Sequence, residues 1–141
     1  LAERGIGFVN IDQPLFAHSL APSAKVTSSV GYVRVHGRNY RDWFRKTASA
    51  LERYDYLYSA KELKPWAERT QEMAGHPRVQ DVYVVTNNHV RGKGIANAMM
   101  LQTMLTGRKV EAPETLVRAY PQELGPYVRQ ASEAAGHPAS P

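Results

Sequence analysis

Gly31-Tyr32-Val33-Arg34-Val35-His36 is the stretch on which the fold turns. It is short, rich in β-branched and aromatic residues, and apolar but for Arg34, the composition of a strand inside a parallel sheet. Three more segments share that character: residues 7–12 (GFVNID), 54–58 (YDYLY) and 81–86 (DVYVVT). Helical patterns lie between and after them. Ser59-Ala60-Lys61-Glu62 forms a capping box. The helix it opens carries Leu63, Trp66, Ala67, Thr70, Met73 and Ala74 on one stripe and stops at Gly75-His76-Pro77. Pro65 removes one helical hydrogen bond, so the helix is expected to start either at the Ser59 cap or at Pro65 itself. A weaker pattern over residues 42–51 places Trp43, Phe44, Ala48 and Leu51 near one face, and another helix spans 95–105 before Gly107. Pro113 is placed at the first position of a short helix running to Tyr120. Alternation of strands and helices predicts an α/β fold with right-handed crossovers and a parallel sheet.

The 141-residue chain is 43% apolar and 22% charged, enough for a buried core. No apolar run approaches the ~20 residues of a membrane span, so no membrane partner is expected. Without cysteine there is no disulfide, thiol nucleophile or thiolate metal site, which suits a cytoplasmic location. A net charge of +5 favours anionic ligands without separating nucleic acid from small anions. Leu1-Ala2-Glu3-Arg4-Gly5 reads as the last turn of a helix closed by glycine, so the chain is expected to be the carboxyl-terminal part of a longer protein.

Polar residues gather where the strands end. Asp12 follows the first, His36-Gly37-Arg38-Asn39 the second, Tyr58 closes the third, and Asn87-Asn88-His89 follows the last. In parallel α/β proteins ligands bind outside the carboxyl ends of the strands, although Asn and Asp also populate turns for local reasons. Arg34 lies two positions before His36, so both side chains point to one face. A guanidinium there needs a partner, either a carboxylate of the protein or an anionic ligand. In His89-Val90-Arg91-Gly92-Lys93-Gly94 two glycines and a helix start make Lys93 part of a candidate anion site, with a mobile surface loop as the alternative. Asp12, His36 and His89 form a two-histidine, one-carboxylate donor set, but no ligand spacing supports it; no metal and no cofactor is assigned.

Tyr32 to Asn39, Tyr54 to Ser59 and Val82 to His89, together with Asp12-Gln13-Pro14 and Asn97-Ala98, resemble successive signatures of the DUF72 (YecE-like) family in order over residues 8 to 98. The resemblance implies a TIM-type (β/α) barrel of which this chain holds only the carboxyl-terminal strands and helices, its missing partner being the amino-terminal half. A whole barrel takes ~200 residues or more. Pro65 and Thr86 stand where the resemblance calls for more helix-favouring and more apolar residues, and no signature of the family is read after Gly107. The expected division is residues 1–107 as the partial barrel, 108–130 as a partly helical extension and 131–141 as a disordered tail.

The leading reading is a barrel enzyme acting on a small anionic or phosphate-bearing substrate. Arg34 would hold the anion and His36 or His89 would act as acid or base. Asp12, Asn39, Tyr58, Asn87, Asn88 and Lys93 would complete the binding set. A nucleic-acid-binding protein is the second reading, because Arg34, Arg38, Arg41, Arg45 and Lys46 crowd near Tyr40 and Trp43. The third is an inactive fragment with exposed strand edges.

Overall fold

The structure, a computed structural model, describes residues 1–131. Its centre is a parallel three-stranded sheet of β1 (Val9–Asp12), β2 (Val30–Val35) and β3 (Asp81–Thr86), in that spatial order. Asp12 is registered with Val35, and Val35 with Thr86. The ladder runs one step beyond the strands: the His36 amide donates to Asp12 at 2.9 Å and the Asn87 amide to Val35 at 2.7 Å. Three of the expected strands are therefore present, and their polar ends lie side by side.

The third expected strand, residues 54–58, pairs with nothing in either sheet. Two asparagine side chains do the work of a neighbouring strand. Asn88 Nδ2 donates to the Tyr56 carbonyl at 2.8 Å, Asn97 Oδ1 accepts from the Tyr58 amide at 3.0 Å, and Asn97 Nδ2 donates to the Tyr58 carbonyl at 2.9 Å. A tyrosine-rich run favours half-buried extended backbone, and side-chain amides satisfy its polar groups as well as a ladder does.

Residues 42–49 do not form the expected helix. Asp42 accepts from Asn39, Arg41 and Arg45, and these local side-chain bonds hold the backbone in turns. Helix begins only at the Ser49–Glu52 capping box, as α1 (Ala50–Arg53). Helix α2 (Ala60–Ala74) starts at the Ser59–Glu62 box and runs through Pro65, so a start at Pro65 is ruled out. Leu63, Trp66, Ala67, Thr70 and Met73 are buried as the stripe requires, whereas Ala74 is exposed. Helix α3 (Lys93–Thr106) opens two residues before the expected start and ends at Gly107, whose φ of +69° is costly for any other residue. Pro113 caps α4 (Glu114–Ala119) instead of occupying its first position.

The alternation of strand and helix is incomplete. Residues 13–29, linking β1 to β2, contain no helix. Buried Asn10 clasps that loop: its Oδ1 accepts from the Lys25 amide and from Ser23 Oγ, both at 2.8 Å, and its Nδ2 donates to the Lys25 carbonyl at 3.0 Å.

Helices α2 and α3 cover one face of the sheet, where Val33 and Val35 meet Leu63, Trp66, Met73, Ala96 and Met100. Each large side chain buried there contributes about 1.5–3 kcal/mol. The other face carries Val9, Tyr32, Arg34, Tyr83 and Val85 and has no covering layer among the described residues; Tyr83 is 54% exposed. Parallel strands are ordinarily covered on both faces. The described strands form an open arc, not a closed barrel.

Sequence periodicity missed a second, two-stranded parallel sheet, β4 (Val110–Ala112) with β5 (Val128–Gln130), because three-residue strands are too short to show it. Ala112, Leu124 and Val128 add to the core. The tail expectation for 131–141 lies, apart from Ala131, outside the described residues. No described helix is long and apolar enough to cross a membrane.

Candidate functional site

The strand ends hold two polar clusters on opposite faces of the sheet. On the helix-covered side, Asp12 is 1% exposed and receives Arg38 through two bonds, from Nη2 at 2.7 Å and Nε at 2.9 Å. The Tyr58 hydroxyl also donates to Asp12, and it accepts from the Gly37 amide at 2.8 Å. Bonding to Asp12 pushes the Arg38 pKa up, so its charge is fixed. Burial, reinforced by the Asp12 charge, pushes the Tyr58 hydroxyl up as well, keeping it a neutral donor. Glycine is needed at 37, where φ is +97° and an added Cβ would lie 2.8 Å from Tyr56 Cβ. Fully buried Asn88 and Asn97 bond to one another at 2.7 Å while holding the 54–58 loop. Asp12, Tyr58 and Asn88, all read from sequence as ligand-binding, thus bond to neighbours inside the protein.

On the open face, Arg34 Nε donates to Asn87 Oδ1 at 3.1 Å, and no carboxylate among the described residues pairs with it. His36 follows on the same face. Its Nδ1 is buried without a hydrogen-bond partner, and burial, helped by the Arg34 charge, holds its pKa below the ordinary histidine value despite the opposing pull of Asp12. The imidazole is therefore neutral near pH 7. His89 Nδ1 lies 2.8 Å from the Asn87 carbonyl. A carbonyl only accepts, so Nδ1 is the donor in this contact, the tautomer whose neutral ring has its lone pair on Nε2. Tyr54 stands between the histidines, with ring centroids 5.8 Å from His36 and 5.9 Å from His89; Trp43 packs edge-on at 5.9 Å from Tyr54 and 6.4 Å from His36. Arg34, His36, Asn87 and His89 are brought together as the sequence suggested.

Two other candidates are engaged elsewhere. Asn39 Nδ2 ties Asp42 at 3.1 Å to the Glu52 carbonyl at 2.7 Å. Lys93 pairs with Asp55 at 2.6 Å, so the helix start it was expected to make attractive to anions already holds a carboxylate. Three of the five cations in the basic run are paired: Arg38 with Asp12, Arg41 with Asp42, and Arg45 with Asp42 and Glu52. Among the described residues no three His, Cys, Asp or Glu side chains gather to hold a metal.

Sequence reading missed Arg53 and the ring role of Tyr54. The signal was present in Ser49-Ala50-Leu51-Glu52, a second capping box that starts a single turn and puts Arg53-Tyr54 just past its end. These residues, with Trp43, Phe44 and Lys46, line a cavity of about 390 Å³. A larger concavity of about 570 Å³ lies between α2, Met104 and Tyr127, and none of the polar residues at the ends of β1, β2 and β3 lines it. We place the site at the strand ends because two of the buried unpartnered atoms, His36 Nδ1 and Asn88 Oδ1, are there beside Arg34, which no carboxylate among the described residues pairs.

A family model described as "Protein of unknown function DUF72" matches residues 1–122. No curated protein matches. Among solved structures, a DUF72 family protein from Thermotoga maritima is 38% identical with a TM-score of 0.66, the match covering 74% of this chain and 38% of that one. A DUF72 family protein from Enterococcus faecalis is 27% identical with a TM-score of 0.64, with the same coverage. The chain therefore spans well under half the length of these relatives.

Proposed function

The chain belongs to the DUF72 family, and from that premise we propose that its sheet is an arc of a (β/α) barrel wall whose mouth binds a small anionic or phosphate-bearing substrate and performs acid–base chemistry on it. The observation that carries this reading is Arg34: a half-buried guanidinium with a side-chain amide as its partner and no carboxylate among the described residues. Asn87 fixes Nε and so aims the rest of the fork at an incoming oxyanion. Neutral His36, with an unmatched ring nitrogen, and His89, with its Nε2 lone pair, are placed to take or return a proton at that anion. The nucleic-acid reading loses support because Arg38, Arg41 and Arg45 are already paired.

Calorimetric titration with inorganic phosphate tests the proposal. The wild-type chain should bind it; Arg34→Ala should bind it at least about tenfold more weakly, a loss of at least about 1.4 kcal/mol. Because Arg34 bonds only to an exposed-side amide, stability should change by less than about 1 kcal/mol. A wild-type chain indifferent to phosphate, or an Arg34→Ala chain that unfolds, would return Arg34 to a structural role.

A further inference from the structure

Positive charge around the strand ends is unevenly compensated. Residues 34 to 53 include six cations: Arg34, Arg38, Arg41, Arg45, Lys46 and Arg53. Four carboxylates serve three of them, Asp12 and Glu62 facing Arg38, Asp42 facing Arg41 and Arg45, and Glu52 facing Arg45. Among the described residues none faces Arg34, Lys46 or Arg53. The Arg53 side chain makes a single bond, from Nη2 to the Arg45 carbonyl at 3.3 Å, and its Nε is buried with no partner. A buried donor left unmatched is costly, so an acceptor supplied from outside gains more there than at an exposed donor.

Lys46 and Arg53 share their cavity of about 390 Å³ with Trp43, Phe44 and Tyr54. That size lies within the roughly 300–1,000 Å³ of small-molecule sites. Aromatic walls and two free cations suit a flat ring that carries negative charge. The wall is shared: Trp43 and Tyr54, which line the cavity, are the rings packed against His36. The cavity therefore adjoins the Arg34–His36 row through these two rings.

We propose that this cavity receives the heteroaromatic ring of the substrate, making the ligand class a phosphorylated heteroaromatic compound of mononucleotide size. The ring lies against Trp43 and Tyr54, a ring oxygen or nitrogen accepts from Arg53 Nε, and Lys46 adds charge at the mouth. The phosphate turns to Arg34, so the inference rests on the anion site proposed above.

Uridine 5′-monophosphate, uridine and inorganic phosphate, titrated into the full chain, separate the parts. Trp66 is fully buried, so quenching of tryptophan emission reports on Trp43. The monophosphate should quench emission and bind about tenfold more tightly than inorganic phosphate, the size of a single base-stacking contribution. Trp43→Leu and Arg53→Gln should each remove that advantage while leaving phosphate affinity unchanged; Arg53→Gln alters a surface-reaching side chain and guards against misfolding of the first variant. If both keep the tenfold advantage, or the wild type shows none, the ring pocket is wrong and the Arg34 anion site stands. Loss of phosphate binding in the wild type instead removes the anion site, and this inference with it. An oligonucleotide that binds far more tightly than the monophosphate, with a steep fall in salt, would overturn the proposal in favour of single-stranded nucleic acid.

Discussion

The two polar clusters at the strand ends are made of similar residues and do opposite things. Beneath the helices, Asp12, Arg38, Tyr58 and Asn97 are matched with donors and acceptors inside the chain. On the open face, Arg34 has no carboxylate among the described residues and His36 has an unpartnered nitrogen. A saturated network specifies structure, because removing any member strands a buried group. An unsaturated one costs stability unless a ligand completes it. Asn88 Oδ1 blurs the contrast, being buried without a partner in the otherwise satisfied cluster.

Substitutions can break this comparison or sharpen it. The largest effect is expected from Asn97→Ala, which strands the Tyr58 amide, the Tyr58 carbonyl and one Asn88 bond. Urea unfolding should show a loss of about 3 kcal/mol or more; a neutral outcome would mean that the 54–58 loop does not depend on the asparagines. Tyr58→Phe comes next, removing one donor to Asp12 and the acceptor for the Gly37 amide. Arg38 still neutralises Asp12, so the expected cost is about 1–2 kcal/mol, read from the same unfolding curves.

The smallest effect belongs to the open cluster, and pH reveals it. The His36 pKa is held below 6.5, so the unfolded chain takes up protons before the folded one does. Stability contributed by the neutral ring is complete above the unfolded value and falls as pH drops through that value toward the folded pKa. NMR titration of the ring should place His36 below 6.5, and Arg34→Ala should raise it only in part, since burial is the first cause. A midpoint above 6.5 would indicate a carboxylate partner and erase the contrast between the clusters.

Much of this was legible in the sequence. The strands at 9–12, 30–35 and 81–86, the Ser59 cap and the α2 stripe follow from local composition and periodicity. So did the row of polar strand ends, because parallel register aligns carboxyl termini. The 54–58 segment was misread because strand propensity measures extended, half-buried backbone and is blind to what bonds it. The helix at 42–51 was misread because three donors on Asp42 outweigh an amphipathic pattern.

By itself the sequence determined the α/β class, the parallel strands, the family and the set of residues at the strand ends. The class, the strands and the strand-end set depend on spacing along one chain, and the family on the resemblance of its motifs. Which members of the set are already bonded depended on the tertiary structure, because the partners lie far apart in sequence: Asp12 meets Arg38 and Tyr58, Lys93 meets Asp55, and Arg34 meets Asn87. Face decided the outcome. Alternation along β2 puts Arg34 and His36 opposite the helices, where packing supplies few partners, while Asp12 on β1 turns toward them and is enclosed.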